Sequence, residues 1–394
     1  MATQLGWLAE ALGDSPTLKL SSQAKAMIQA GEPVINLTAG EPDFATPEPV
    51  LAAARAALAD GRIGYTASAG LPELRAMVAQ YYSDAGGPTV AAGEVIVSNG
   101  AKQVLFNALA VLINPGDKVA IPVPYWVTYP AQVTALRGEI LAVTPTAGWK
   151  ITPADLERAG ARAARVLILN SPSNPTGAVY DRDELAALAD WCRTCDVYVL
   201  TDEIYEDLVY TDAGHTSLVQ IAPDLRHRIV RVTGLSKSYA MTGWRVGFGL
   251  AEPETINAMT RLQDHSTSNI CTVAQKAALA AFACRAEVLA MREAFHRRRD
   301  VLVEQLRGTP GIRFDVPDGA FYLMLDCRDL LAPDRRHDGC WRLARHLLAE
   351  AKLATIPGAP FGAPGCLRLS FARSESELVE AAQRLRASLR SFPG

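Results

Sequence analysis

Strand-like runs of apolar and β-branched residues alternate with helical stretches between about Arg62 and Leu250, and this alternation constrains the fold more than any other feature. The runs read EVIVS, DKVAIP, GEILAV, VLILN and RIVRV. Apolar strands separated by helices are typical of a parallel sheet covered on both faces. The sequence therefore predicts an α/β fold with a mostly parallel sheet.

The chain length predicts more than one domain. At 394 residues the chain exceeds the roughly 150 residues that one domain commonly uses. We place a large domain at residues 48–290. A smaller α+β domain, with an N-terminal arm, is expected from residues 1–47 and 291–394.

Composition and charge exclude several classes of protein. Hydrophobic residues make up 49% of the chain and charged residues 21%, which describes a packed protein rather than a disordered one. A net charge of −3 argues against nucleic acid or an acidic membrane as the main partner. The basic run RRRD, Arg297 to Asp300, is interpreted as a solvated helix face.

The cysteines and the N-terminus indicate a cytoplasmic protein. Seven scattered cysteines show no CxxC or Cys/His spacing of metal type, so we expect reduced thiols and no metal site. The N-terminus lacks the pattern of a signal peptide, and no apolar run approaches the roughly 18 residues that span a bilayer. We expect an unprocessed protein without a membrane partner.

Lys237 follows the strand-like run from Arg228 to Thr233, with Ser236 and Arg245 nearby. A lysine there can form a Schiff base with a carbonyl cofactor, while the hydroxyl and the guanidinium hold the phosphate of the same molecule. This combination indicates pyridoxal phosphate. The alternative is an ordinary solvated loop lysine.

Two further loops follow apolar runs. SNPTG follows the run from Val166 to Asn170, and its Asn174 can donate to an anionic ring oxygen. In VYVLTDEIYEDL, Asp202 can keep a pyridine nitrogen protonated and Tyr205 can hydrogen-bond the ring oxygen. The alternatives are a surface turn at Asn174, and a helix cap at Asp202 with a packed Tyr205.

Two other segments can bind anions. In EVIVSNGAKQVLF, a strand leads into a helix whose first amides, at Gly100, Ala101 and Lys102, can face a phosphate. In PGCLRLSFA, Arg368 lies among apolar neighbours and needs an anion, either the α-carboxylate of an amino acid or a structural Asp or Glu. Many α/β proteins have a strand that leads into a helix in this way without binding an anion there.

Taken in order, GAK, PYW, NPTG, DEIY, SKSYAMTGWR and the late Arg368 resemble the class I aminotransferases, pyridoxal-phosphate enzymes of fold type I. The resemblance runs from NLTAGEPDFATP, Asn36 to Pro47, through GYTASAGLPELR to the Arg368 strand, nearly the whole chain. SNIC, Ser268 to Cys271, departs from it, because relatives commonly carry a proline there.

The resemblance implies a role for each matching residue. Catalysis would involve Lys237 as the Schiff-base lysine, Asp202 and Tyr205. The cofactor would be held by these three and by Gly100, Ala101, Lys102, Trp126, Asn174, Ser236, Arg245 and Tyr65. Tyr65 would come from the partner subunit of a homodimer with shared active sites. The substrate would contact Gly40, Trp126, Asn174 and Arg368, with Lys102 and Thr17 at the distal carboxylate of a dicarboxylic amino acid.

The resemblance also implies the reaction, which is transfer of an amino group between an amino acid such as aspartate and a 2-oxo acid such as 2-oxoglutarate. A β-lyase, a synthase or an amino-acid oxidase of the same fold stays open as an alternative. A nucleotide-binding dehydrogenase would carry GxGxxG after an early strand, which the sequence lacks. A regulator on this fold would need an added DNA-binding module, and little chain precedes Asn36.

Overall fold

The structure is a computed structural model that describes residues 5–13 and 16–393, without the side chains of residues 16–19. The described strands are β1 Ile35–Asn36, β2 Val95–Asn99, β3 Lys118–Pro122, β4 Glu139–Val143, β5 Ala164–Asn170, β6 Tyr198–Asp202, β7 Ile229–Gly234, β8 Val246–Leu250, β9 Tyr322–Asp326, β10 Leu353–Ala354, β11 Ile356–Pro357 and β12 Cys366–Ser370. The described helices are α1 Trp7–Ala11, α2 Pro16–Gln29, α3 Glu48–Ala59, α4 Pro72–Asp84, α5 Ala101–Leu112, α6 Thr128–Ala135, α7 Pro153–Arg158, α8 Arg182–Arg193, α9 Leu218–Ile221, α10 Pro253–Asp264, α11 Thr272–Ala281, α12 Arg285–Leu306, α13 Arg336–Ala351 and α14 Glu375–Leu389.

The central sheet of the described chain has seven strands in the order β2-β8-β7-β6-β5-β3-β4. All neighbours pair in parallel except β8, which runs antiparallel to both β2 and β7. The predicted α/β architecture with a mostly parallel sheet is confirmed. The sequence did not reveal β8, since its letters VGFGL carry two glycines, which are rare in strands.

Helices cover both faces of this sheet, and β5 shows why its sequence is apolar throughout. Val166 and Ile168 pack on one face, in a cluster with residues of α5. Leu167 and Leu169 point to the other face and pack with residues of α8. Because successive side chains of a strand alternate between faces, a strand buried on both sides needs apolar residues at every position.

A second core lies around smaller sheets at the C-terminal side of the chain. Strands β11, β12 and β9 form an antiparallel sheet, and β1 pairs in parallel with β10. Their apolar residues pack with α12, α13 and α14. Ser374 and Glu377 form a capping box that begins α14. The boundaries at residues 48 and 290 stay a prediction.

The prediction that RRRD is a solvated helix face is wrong for two of its arginines. In α12, Arg298 pairs with Asp43 at 2.7 Å and lies 4.8 Å from the ring centre of Phe44. Arg299 lies over Tyr210 at 5.1 Å, and only Arg297 is mostly exposed. Aromatic rings attract guanidinium groups, so these side chains lie against the protein instead of extending into water.

The carboxyl ends of the parallel strands meet at one edge of the central sheet. Asn99, Asn170, Asp202 and Gly234 end β2, β5, β6 and β7 there. Loops at this edge are where ligands of open α/β sheets bind. In the described part of the chain, no helix is both long and apolar enough to cross a membrane.

Candidate active site

A cavity of about 450 Å³ lies at this edge, between the central sheet and the smaller sheets. Eleven of the residues selected from the sequence line it: Gly40, Ala101, Lys102, Trp126, Asn174, Asp202, Tyr205, Ser236, Lys237, Arg245 and Arg368. A larger cavity of about 920 Å³, lined in part by Trp149 and Arg336, contains none of them. The smaller cavity is therefore the candidate active site.

Asp202 is buried at the end of β6 and is fixed by two donors. The phenol of Tyr129 donates to its Oδ2 at 2.6 Å, and the amide of Ile204 donates to Oδ1 at 3.3 Å. Burial raises the pKa of Asp202 to about 6, although both hydrogen bonds act in the opposite direction. The described residues after Asp202 form turns rather than a helix, so the reading as a helix cap is wrong.

Lys237 lies in the turn after β7, and its Nζ donates to the carbonyl oxygen of Gly40. The ring centres of Tyr205 and Phe321 lie 5.7 and 5.8 Å from this nitrogen. Burial lowers the pKa of the Lys237 amine to about 8. A solvated loop lysine would have no such environment.

Two glycines shape the turn between β2 and α5. Gly100 has a φ of 78°, and a Cβ there would lie 2.4 Å from Nη2 of Arg245. A Cβ on Gly247 would lie 2.2 Å from the carbonyl carbon of Gly100 and 2.3 Å from the amide nitrogen of Ala101. The glycines of β8 thus let this strand pass directly behind the first amides of α5.

Arg245 closes the same turn from the other side. Its terminal nitrogens donate to the carbonyl oxygens of Thr242 at 2.8 Å and Asn99 at 3.2 Å. With the amides at the start of α5, this guanidinium forms a positively polarised cradle. Ser236 lines the same cavity.

Arg368 is buried in the middle of β12 and has no carboxylate partner among the described residues. Its terminal nitrogens donate to Oδ1 of Asn174 at 2.9 Å and to the carbonyl oxygen of Thr38 at 3.1 Å. Its Nε is buried without any partner. The structural ion pair considered from the sequence is therefore wrong, and an anion is needed from elsewhere.

Tyr322 contacts both Tyr205 and Arg368, and the sequence analysis did not identify it. Its hydroxyl lies 3.0 Å from the hydroxyl of Tyr205, and the guanidinium carbon of Arg368 lies 4.4 Å from its ring centre. Tyr129, the partner of Asp202, was missed as well. Both tyrosines lie in apolar segments where nothing in the letters separates them from core aromatic residues.

Glu203, next to Asp202, belongs to a separate buried network. The guanidinium of Arg231 contacts Glu203 at 2.8 Å and Glu206 at 2.5 Å, and His215 lies 3.0 Å from Glu203. Burial favours a higher pKa at Glu203, but Arg231 and His215 lower it to about 2. Two carboxylates and a histidine this close are a set that can bind a metal, but Arg231 already supplies the cation between the carboxylates. The expectation of no metal site stays a prediction.

Lys102 lines the cavity beside an aromatic ring, whereas Tyr65 does not line it. Lys102 lies over the ring of Trp126 at 4.9 Å, and burial followed by the charge of Arg245 lowers its pKa. Thr17 lies in α2, and its side chain is outside the described residues. The side chain of Tyr65 is 95% exposed.

The backbone around Tyr65 is nevertheless tightly held. Thr272 donates to the carbonyl oxygen of Gly64 at 2.7 Å, and Gln275 donates to Thr66 at 3.0 Å. The nearby SNIC segment is bent by Ser268, which has a φ of 55°. Tyr65 is thus a large side chain projected into solvent from a fixed loop.

A family model described as aminotransferase class I and II matches residues 32–385. The chain belongs to this family. Aspartate aminotransferase of Streptomyces avermitilis is 42% identical over 96% of this chain and 95% of its own length. Aspartate/prephenate aminotransferase of Cereibacter sphaeroides is 41% identical, with 95% of both chains covered.

Solved structures agree with this assignment. Aspartate aminotransferase from Thermus thermophilus with maleate superposes with a TM-score of 0.91 at 40% identity, over 98% of this chain and 100% of that one. The enzyme from Rhizobium meliloti gives 0.92 at 37% identity, over 99% of each chain. This aminotransferase therefore has fold type I and depends on pyridoxal 5'-phosphate for amino-group transfer.

Proposed function

We propose that this aminotransferase moves the amino group between aspartate, or another dicarboxylic amino acid, and a 2-oxo acid such as 2-oxoglutarate. The observation that supports this most is the charge of the cavity. Six cationic side chains line it, against two carboxylates, and they are Lys25, Lys102, Lys237, Arg245, Arg368 and Arg373 against Glu41 and Asp202. A cofactor phosphate neutralises only part of this excess, so a substrate with two carboxylates complements the rest.

The residues present fit the cofactor that the family uses. In our proposal Lys237 carries it covalently, Asp202 pairs with its ring nitrogen, Asn174 and Tyr205 bind its ring oxygen, and Trp126 stacks on the ring. The phosphate is held by Ser236, Arg245 and the start of α5 at Gly100, Ala101 and Lys102. The raised pKa of buried Asp202 supports this pairing, because a cation facing it would stabilise the charged carboxylate. When bound, the cofactor supplies an electron sink for the carbanion at the substrate's α-carbon.

Lys237 is also proposed as the residue whose amine would accept and return the α-proton of the substrate. Its pKa of about 8 keeps a substantial fraction of the amine neutral near physiological pH, and a neutral amine can accept the α-proton. The carbonyl of Gly40 receives a hydrogen bond from Nζ and so orients the amine in the cavity. Asp202 is proposed to keep the ring nitrogen of the cofactor positively charged.

Arg368 and Asn174 are proposed to bind the α-carboxylate beneath the segment of Gly40. Each terminal nitrogen of Arg368 has one hydrogen left after its contacts with Asn174 and Thr38, and Nε–H has no partner. Two of these donors can bind one carboxylate in the bidentate manner. Asn174 accepts from Arg368 through Oδ1, which leaves its Nδ2 free to donate. Lys102 and Thr17 are assigned to the distal carboxylate.

The working enzyme is proposed to be a cytoplasmic homodimer with shared active sites. Tyr65 supports the dimer, because a fully exposed tyrosine on a rigid loop suits a contact with the phosphate in a second subunit. The seven cysteines, all free and five of them buried, suit a reducing compartment.

A coupled assay tests the proposed reaction. Purified enzyme loaded with cofactor is incubated with aspartate and 2-oxoglutarate. Stoichiometric oxaloacetate and glutamate without ammonia are expected. Release of ammonia would instead indicate a lyase or an oxidase, and turnover only with monocarboxylic amino acids would contradict the substrate class.

A further inference from the structure

The larger cavity, of about 920 Å³, shares no lining residue with the candidate active site. Its volume falls in the range of pockets that bind small molecules. We propose that this cavity is a second ligand site, which binds a small aromatic carboxylate through Arg336 and Trp149. The inference does not depend on the proposed reaction, because no residue assigned to that reaction lines the cavity.

Arg336, at the start of α13, supplies a cation without a partner. Its Nε is buried and unpaired, and its terminal nitrogens form no ion pair or hydrogen bond with any residue that the structure describes. A buried N–H group without an acceptor costs free energy, which an anionic ligand would recover. A guanidinium group with all its donors free can bind a carboxylate in the bidentate manner.

The carboxylates of the cavity do not compensate this charge. Arg328 donates to Oδ1 of Asp326 at 2.8 Å and to Oδ2 at 2.5 Å, so both oxygens of this carboxylate are already bound. Cations also outnumber carboxylates along the wall, with Arg307, Arg313, Arg328 and Arg336 against Asp315 and Asp326. A cavity with this excess of positive charge attracts anions.

Trp149 provides a planar apolar surface in the same cavity. It is half-buried and packs against Met324, Ala363 and Cys366. The loop that carries it is held in place, because Thr146 donates to Oδ1 of Asp155 at 2.6 Å. A fixed indole ring with one part accessible favours the stacking of an aromatic ligand.

Arg336 and Trp149 flank the same short segment of the chain. A Cβ on Gly365 would lie 3.5 Å from Cβ and Cγ of Arg336, while Trp149 packs against Ala363 and Cys366 on either side of this glycine. One small ligand can therefore contact both side chains. Further apolar residues line the cavity, among them Pro124, Ile312 and Phe314, which suits an aromatic body more than a sugar or a second charged group.

A single loop separates the two cavities. Phe361 lines the candidate active site, where the guanidinium carbon of Arg368 lies 5.1 Å from its ring centre, whereas residues 362–364 line the larger cavity. The amide of Tyr125 donates to the carbonyl oxygen of Phe361 at 3.0 Å and fixes this loop. A ligand in the larger cavity would thus leave the contacts of Arg368 untouched.

Calorimetric titration of the loaded enzyme with naphthalene-2-carboxylate, a planar aromatic anion, tests the charged contact. The wild type should bind one molecule per chain, and should bind the neutral naphthalene-2-carboxamide about tenfold more weakly, the worth of a charge-assisted contact. Arg336→Gln should lose about tenfold in affinity for the acid, and Arg336→Lys should recover part of the loss. Arg335→Gln is the matched control, because Arg335 is exposed and does not line the cavity, and its affinity should equal that of the wild type.

The aromatic contact is tested at Trp149. Trp149→Leu should weaken binding of the acid about threefold, whereas Trp149→Phe keeps an aromatic face and should bind nearly as the wild type does. Equal affinity of the Trp149→Leu variant and the wild type would contradict stacking on this ring.

Arg368→Gln separates this site from the candidate active site. If naphthalene-2-carboxylate bound there instead, Arg368→Gln would weaken binding and Arg336→Gln would not, and the inference would be overturned. Absence of binding to the wild type, or equal affinity for the acid and the amide, would also overturn it. The comparison of acid with amide uses the wild-type enzyme, so its outcome does not depend on how well any variant folds.

Discussion

Tyr129 donates its phenolic hydrogen to Oδ2 of Asp202 at 2.6 Å, and both side chains are buried. This bond fixes the direction of the carboxylate assigned to the ring nitrogen. Tyr129→Phe should therefore raise the dissociation constant of the cofactor about tenfold, the worth of one hydrogen bond to a charged group. Fluorescence titration of the cofactor-free protein measures it.

Tyr198→Phe is the matched control for that measurement. Tyr198 begins β6 at the opposite end of the same strand and stacks with Arg165. Cofactor affinity should be unchanged in this variant. Equal affinity of the Tyr129→Phe variant and the wild type would show that the bond does not position Asp202.

Asp202 should also make the stability of the cofactor-free protein depend on pH. Its pKa is raised from 3.8 to about 6 by burial, so the folded state holds its proton more tightly than the unfolded state does. The free energy of unfolding should fall by on the order of 3 kcal/mol as the pH rises from about 4 to above 6. Asp202→Asn should lack this decrease and be more stable than the wild type at pH 7.

Urea unfolding of both cofactor-free proteins across this pH range provides the measurement. The amide introduced by Asp202→Asn keeps an oxygen that can accept from Tyr129, so packing is preserved in the comparison. Identical pH profiles for the two proteins would contradict the raised pKa.

Gly247→Ala should damage the phosphate cradle without touching any ligand directly. The new methyl group would lie 2.2 Å from the backbone of Gly100, so the turn before α5 must shift. We expect a loss of cofactor affinity of at least about tenfold and a destabilisation on the order of 1–3 kcal/mol. Gly243→Ala is the control, as a Cβ there meets nothing within 4 Å.

The geometry of a parallel sheet explains which site residues could be predicted from the sequence. Polar residues directly after apolar runs, such as Asn174, Asp202 and Lys237, lie close together because the carboxyl ends of parallel strands share one edge. Arg368 also lines the cavity of the candidate active site, but it lies in antiparallel β12, so the shared edge does not explain its position.

Tertiary contacts account for what the sequence could not reveal. Tyr322 reaches the site only because β9 pairs with β12, and this pairing brings residues from distant parts of the chain together. Strand β8 was missed because glycine has a low strand propensity. Its Gly247 is required because any larger residue would collide with the backbone of Gly100. Arg298 and Arg299 were read as solvated because local charge patterns do not show aromatic rings from other segments.

Mixing two variants that should each lose activity tests the shared active site. Lys237→Ala lacks the amine and Tyr65→Ala lacks the proposed contact across the interface. If Tyr65 acts in the partner subunit, a mixed dimer contains one site with both residues intact. Since half of randomly mixed dimers are of this kind, about a quarter of wild-type activity should return. No recovery, despite mixed dimers being detected by native mass spectrometry, would contradict the assignment.

The identity of the lysine that carries the cofactor is the central claim, and three lysines line the cavity: Lys25, Lys102 and Lys237. The most direct measurement is borohydride reduction of the loaded enzyme, followed by digestion and mass spectrometry of the peptides. The predicted result is one pyridoxyl group per chain, on Lys237, and none in the Lys237→Ala variant. A label on Lys25 or Lys102, or no label on any lysine, would contradict it.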